Sequence, residues 1–382
     1  MDKRKNRVIP VKHIKKKIYE LSVLLGNALF GAFCCFLGIY MTISLAKNGS
    51  GIFYYAMAFA SPGTAIEILS TPPKEENDLS TELYEEEEIS VPEPEKEVFP
   101  EENPAFEEKI IPEVPENRRG KVTEIKYSAS EGGLYVSYGN AIIKNCTKHS
   151  AEKIKSMLET KHGLFLSTEE KEEPQVLIYH THATEGFEPA DRGYFDLSES
   201  WRSTDKTENM VAVGEVITSV LEEKGIGVLH DETMHDDPGY NGSYKRSAVT
   251  VSSALSENQR ISVCLDIHRD AIEPSEKEIM KPTAVINGKK AAQIMIISGC
   301  DDGSMNMPEY WENLRFAAAL ADKLEELYPG ICRPVLFDYR KYNMDLSKGL
   351  LLIEIGATGN TLEEAKYSAE LLANALFELL SE

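Results

Sequence analysis

Residues 176–185 read VLIYHTHATE, an apolar run that closes in two histidines and a carboxylate. Val176, Leu177, Ile178 and Tyr179 are β-branched, aliphatic or aromatic, and Pro174 and a polar turn bound them; this predicts a short strand buried in an α/β sheet. Such a strand delivers His180, His182 and Glu185 to its carboxyl end, where ligands collect in open α/β sheets. Residues i and i+2 of a strand share a face, so His180 and His182 can point the same way and Glu185 can fold back onto the same spot. Taken alone, His-Thr-His is more often a polar strand end in contact with water. Stretches farther along the chain change that balance.

Outward from this strand the pattern alternates. Helical periodicity covers 209–224 and stops at Gly225, a good C-terminal glycine. Strands are expected at 226–229, 261–267, 283–286, 293–297, 335–336 and 350–355, and helices at 247–255, 311–327 and 361–380. An alternating series of this kind predicts one α/β catalytic domain over 174–382, a mostly parallel sheet with helices on both faces. Before it, 118–173 reads as a small β-rich lead-in: strands at 121–128 and 134–145 around Gly132-Gly133, then a helix at 151–159 capped by Ser150.

The first third of the 382 residues is unlike the rest. Residues 1–20 carry eight Lys/Arg against Asp2 and Glu20, and residues 21–46 then hold no charge over 26 positions. About 20 apolar residues cross a bilayer as a helix. The pattern predicts a transmembrane helix at 21–46 with a cytoplasmic basic tail at 1–20 and everything beyond about residue 47 outside. A cleavable signal peptide competes, with Ala58-Phe59-Ala60 as a faint cleavage site, but its core would span only about 7–15 residues. A juxtamembrane segment at 47–73 leads to 74–117, where 17 acidic residues meet three basic ones among frequent prolines. Like-charge repulsion and scarce apolar surface predict an extended linker there.

The formal net charge of −22 and an acidic exterior argue against a nucleic-acid partner, since phosphate binding needs clustered Lys/Arg and the region beyond the expected span has no such patch. Cys34 and Cys35 fall within the expected span, while Cys146, Cys264, Cys300 and Cys332 are scattered without CxxC spacing. Any metal should therefore have N and O ligands.

Titratable groups close three of the buried runs: His180/His182/Glu185, then Asp266/His268, then Glu354 in LLIEIGATGN. Neighbouring parallel strands converge their side chains at that end. Two histidines, one carboxylate and an open position make a catalytic zinc arrangement, with a further carboxylate as general base. His182, Glu185 and His268 fit as ligands and Glu354 as base. Asp266 either orients His268 or pairs with Arg269 or Arg246. No GxSxG, HExxH or GxxxxGK[ST] occurs.

HTHATE at 180–185, DDPGYNGSYKRSAVTV at 236–251, LDIHRDAI at 265–272, NLRFAAALADKLEELYPGICRP at 313–334 and YNMDLSKGLLLIEIGATGNTLEEA at 342–365 together resemble the stage II sporulation protein P family. The resemblance implies a membrane-anchored zinc N-acetylmuramoyl-L-alanine amidase with peptide-crosslink endopeptidase activity. Its implied substrate is septal peptidoglycan during engulfment, and its implied partners are stage II sporulation proteins D and M. In the similar wider zinc amidases the first ligand follows a strand as D-P-G-H, which places it on His182. Their catalytic Glu lies in E-x-G-x-x-x-N, matched here by Glu354, Gly356 and Asn360. Their carboxylate ligand comes from a later helix start, where Glu208 stands, so Glu208 competes with Glu185; HTHxxE, the pattern of the resembled family, favours Glu185. His180 is an alternative ligand or a group behind the ligands. A non-catalytic scaffold that binds the wall and recruits another hydrolase is the alternative function.

Overall fold

In a computed structural model the described residues are 111 and 113–381. The expected tail at 1–20, span at 21–46, juxtamembrane segment at 47–73 and almost all of the linker at 74–117 lie outside them. Among the described residues no helix is long and apolar enough to cross a membrane.

In chain order the strands and helices are β1 (Arg119–Ile125), β2 (Tyr135–Tyr138), β3 (Ala141–Asn145), α1 (Ala151–Leu158), β4 (Val176–Tyr179), β5 (Tyr194–Asp196), α2 (Met210–Glu223), β6 (Val228–His230), α3 (Ser243–Glu257), β7 (Val263–Asp270), β8 (Glu278–Ile286), β9 (Lys289–Ala292), β10 (Ile294–Gly299), α4 (Tyr310–Leu327), β11 (Val335–Asp338), β12 (Leu350–Ala357) and α5 (Leu362–Leu380). The helices begin where their caps stand. Ser150 Oγ accepts from Lys153 N at α1, Asn209 Oδ1 from Val211 N at α2, and Thr361 with Glu364 forms a full capping box at α5.

The α/β class expected from the sequence is present, but as two mixed sheets rather than one mostly parallel sheet. The larger has eight strands in the order β2-β3-β11-β10-β12-β7-β4-β6, and the smaller four in the order β5-β1-β8-β9. From the centre of the large sheet to its β6 edge, β12, β7, β4 and β6 run parallel, whereas β10 is antiparallel to β12. A hairpin precedes the reversed strand. Asn287 and Gly288 both take positive φ (51° and 78°), the two-residue turn that closes β8 on β9, and Gln293 alone then separates β9 from β10. The chain thus passes from the small sheet to the large one in a single residue. The strands of the lead-in are hydrogen-bonded into both sheets, β1 beside β8 and β3 beside β11.

Alternate residues of β4 enter opposite cores. Val176 and Ile178 pack in a cluster with residues of α1, α2, α4 and α5, while Leu177 and Tyr179 pack with Val251 and Ala254 of α3. Helices therefore cover both faces, as expected. With both faces closed, polar groups at the strand ends are the ones left over for chemistry.

Candidate active site

β4 stops at Tyr179, and the three groups after it diverge. His180 continues on the α2 side: its Nδ1 lies 3.0 Å from the Ile267 carbonyl and its Nε2 3.0 Å from His230 Nε2. Thr181 turns to Asp266, donating through N (2.8 Å) and Oγ1 (2.7 Å). His182 faces α3. The expectation that His180 and His182 share a face therefore fails, because alternation ends with the strand. His180 belongs to a pair with His230, not to the cluster around His182.

That cluster is the one the sequence points to. Ligand atoms of His182, Glu185 and His268 lie within 4.8 Å of one another, and all three residues are buried. Glu185 sits between the two imidazoles, Oε1 3.7 Å from His182 Nδ1 and Oε2 3.5 Å from His268 Nδ1. The opposite ring nitrogens face polar groups: His182 Nε2 is 3.0 Å from Ser243 Oγ, and His268 Nε2 makes a 2.9 Å ion-pair contact with Asp266 Oδ1 whose angle falls short of a hydrogen bond. When the far nitrogen of such a histidine carries the hydrogen and the ring is neutral, the near nitrogen is a lone pair, the disposition of metal-bound imidazoles. Asp266 thus orients His268 rather than pairing with Arg269 or Arg246, whose side chains donate to the carbonyls of Gly186 and Trp201 and of His235.

Glu354 is the register partner of His268 on the neighbouring strand. Paired residues of adjacent parallel strands share a face, so the carboxylate comes to the side on which His268 stands. Its Oε2 is buried and has no hydrogen-bond partner among the described residues. The residues after it explain the E-x-G-x-x-x-N spacing. Gly356 adopts φ +70°, a Cβ there would come 2.7 Å from Asn360 Oδ1, and that oxygen accepts the Ala357 N–H at 3.0 Å. The bulge this creates between Glu354 and Ala357 ends the strand just past the carboxylate.

Charges in the site are mutually dependent. Burial pushes Glu185 upward, but His268, Arg269 and His182 outweigh it and hold its carboxyl down at about 2. Burial lowers His268, yet Asp266 and Glu185 raise it well above the ordinary imidazole value. His182 is held at about 4 by burial and by repulsion from His268, against the pull of Glu185. Burial, reinforced by Asp270 and Glu185 and opposed by His268 and Arg333, lifts Glu354 to about 8. Three carboxylates around two imidazoles favour a positive charge among them. The donor set, the fixed far nitrogens and the orphaned Glu354 oxygen together fit a zinc-type cation held by His182, Glu185 and His268.

Glu208 stands apart from this set. It lines the wall of a neighbouring cavity of about 690 Å³ with Gly186 and Arg202. Nothing in the sequence pattern marks the residues of the rim. Tyr240, 54% exposed, stacks on His182 with ring centroids 4.4 Å apart, Tyr244 lies parallel to His268, and Arg202 covers Tyr240 while its NH1 bonds Asp236 at 2.7 Å. These groups and Ser243 come from a loop and a helix start, where no periodicity marks direction.

A family model described as stage II sporulation protein P matches residues 55–377. A curated protein with that name, from Bacillus subtilis (strain 168), is 31% identical over 215 residues, 53% of this chain and 50% of its own length. The chain thus spans about half the length of the curated relative it matches. Among solved structures, similarity is found to the N-acetylmuramoyl-L-alanine amidase AmiC2 of Nostoc punctiforme, with TM-score 0.33, 13% identity, and 53% of this chain and 94% of that chain covered. The CwlD amidase of Clostridioides difficile in complex with the GerS lipoprotein has TM-score 0.31, 12% identity and coverage of 53% and 94%.

Proposed function

Because the chain belongs to the stage II sporulation protein P family, we propose that it is a zinc-dependent peptidoglycan hydrolase of sporulation. The bond cut is the N-acetylmuramoyl-L-alanine amide, with peptide crosslinks as a second target. One observation carries this reading: His182, Glu185 and His268 converge, and beside them an unpartnered Glu354 oxygen is paired in register with His268.

Bound by those three residues, a zinc ion would supply Lewis-acid activation of water and of the amide carbonyl. Glu354 moves the proton. A cation held there would lower its carboxyl from about 8, so that near pH 7 Glu354 can accept a proton from the attacking water and release it again. The water oxygen bonds to the carbonyl carbon, the C–N bond breaks, and Glu354 passes the proton to the leaving alanine nitrogen. Asp266 and Ser243 keep the two imidazoles turned inward throughout. Tyr240 offers an aromatic face at the mouth on which sugar or peptide can lie.

The basic residues 1–20 and the uncharged stretch 21–46 support a single-pass membrane anchor with the catalytic region, 174–382 behind its lead-in, on the extracytoplasmic side of the septum. The acidic segment 74–117 then acts as a spacer, and stage II sporulation proteins D and M are the partners the family suggests. Incubation of the purified chain with peptidoglycan, with and without chelator, tests the enzymatic part. Stem peptides with new alanine amino termini should appear, should disappear with chelator, and should be absent for His182→Ala. Undiminished release by His182→Ala refutes the mechanism; wall binding without any release favours the scaffold.

A further inference from the structure

We infer that the cavity beside the strand-end centre receives the peptide branch of the substrate, and that Arg202 there recognises a carboxylate on the residue next to the scissile alanine. The inference rests on the amidase reading and names the part of that substrate the cavity takes. At about 690 Å³ the cavity has the size of an ordinary ligand pocket. It shares two residues with the surroundings of the centre. Gly186, which lines it, directly follows Glu185, and Arg202, which also lines it, brings Nη2 to 3.7 Å from Glu185 Oε1. The Arg202 guanidinium lies 4.9 Å over the ring of Tyr240, which in turn stacks on His182. A group held by Arg202 is thus a neighbour of the residues proposed to hold the cation.

The shape of the substrate decides which part enters. The amide to be cut joins a continuous glycan strand to a short peptide branch. A strand that runs on in both directions needs an open groove, whereas a short branch can enter a cavity. Phe187 and Trp201 supply apolar wall on which the alanine and the methylenes of its successor can lie.

The donors of Arg202 then select the second residue. A guanidinium carries five N–H groups. Those on Nη1 are taken by Asp236 Oδ2 at 2.7 Å and Thr184 Oγ1 at 3.0 Å, which fixes the plane of the group. Among the described residues Nε and Nη2 make no hydrogen bond, since Glu185 at 3.7 Å stands beyond hydrogen-bond reach. The side chain is 39% exposed, so these donors are open to a ligand. Nε and Nη2 form one edge of the guanidinium, a fork that takes a carboxylate through two parallel hydrogen bonds. A primary amide in its place offers one acceptor and turns an NH₂ group against donors. Glu199 and Glu363, exposed carboxylates of the same cavity, suit a cationic group elsewhere on the branch.

Binding read without turnover tests this. Two synthetic muramoyl peptides, alike except that the second residue is glutamate with its α-carboxylate free or capped as the primary amide, are titrated by calorimetry into the full-length Glu354→Gln chain with zinc present. The free acid should bind about 10-fold more tightly than the amide, the scale of a hydrogen bond between charged groups. The double variant Glu354→Gln/Arg202→Gln, checked for folding by circular dichroism, should bind both peptides within about twofold of each other. Equal binding of the two peptides with Arg202 intact overturns the proposal, whether or not the second substitution folds. So does an acid preference that survives in the folded double variant, or no binding of either peptide. Release of stem peptides by wild type is measured separately. Release without an acid preference keeps the amidase reading and sinks the subsite, and an acid preference carried by Arg202 in a chain that releases nothing does the reverse.

Discussion

Replacing Asp266 by Asn separates the charge behind His268 from its shape. Asp266 Oδ1 lies 2.8 Å from Thr181 N and 2.9 Å from His268 Nε2, and Oδ2 takes the Thr181 hydroxyl at 2.7 Å. An amide keeps the Oδ1 contacts as a neutral acceptor. At Oδ2 it offers a donor instead, which the Thr181 hydroxyl can meet by turning its own hydrogen to Ser247 Oγ, 2.7 Å away. The fold at the site should survive. What disappears is the negative charge that raises His268 and, with a metal bound, makes it a stronger donor. Loss of such a partner costs about 10- to 100-fold in metal affinity, which is about 1.4–2.8 kcal/mol. Competition of wild type and Asp266→Asn against a fluorescent zinc chelator measures it, with circular dichroism as the control for folding. Affinity unchanged within about twofold, in a folded variant, would mean that Asp266 does not act through His268.

Glu354→Gln should retain the zinc of the strand-end centre while amide cleavage falls by about 10²- to 10⁴-fold, the usual contribution of a general acid–base group; steady-state kinetics beside metal analysis checks both. Native-state labelling with iodoacetamide at pH 8, read peptide by peptide, should modify Cys146 and spare Cys264 and Cys300. Cys146 is exposed, while burial pushes the thiols of Cys264 and Cys300 up to about 12. Asp191 is held below its ordinary value of 3.8 by hydrogen bonds from Lys281 and Lys290. A depressed carboxyl contributes stability that is present above the unfolded value and lost as pH falls through the folded one. Urea midpoints of wild type should therefore drop on acidification below about pH 4, and Asp191→Asn should flatten that limb.

What could be read from the sequence follows from how local the cause is. The strand runs VLIY, VCLDIHRD and LLLIEIGA are buried through most of their length, and composition and position alone predict that their closing polar groups converge. His182, Glu185, His268 and Glu354 come together because parallel strands align their carboxyl ends. Strand alternation predicts one face for His180 and His182, but it ends with the strand at Tyr179. The second sheet went unseen for two reasons. β5 is only three residues long, and β9 reads KKAA, which no hydrophobic alternation reveals. One signal for it was present: Asn287-Gly288 between two extended segments is a strong hairpin mark. Ser243, Tyr240 and Tyr244 lie in a stretch whose contact with the centre depends on where α3 packs, 61 residues from His182 in the case of Ser243.

The central claim is that a single hydrolytic cation is held by His182, Glu185 and His268. Anomalous diffraction at the zinc absorption edge, from crystals grown with zinc, locates the ion directly. A peak within bonding distance of His182, Glu185 and His268, with Glu354 facing it, is the result expected. Density for zinc elsewhere with those three side chains bound only to one another would contradict it.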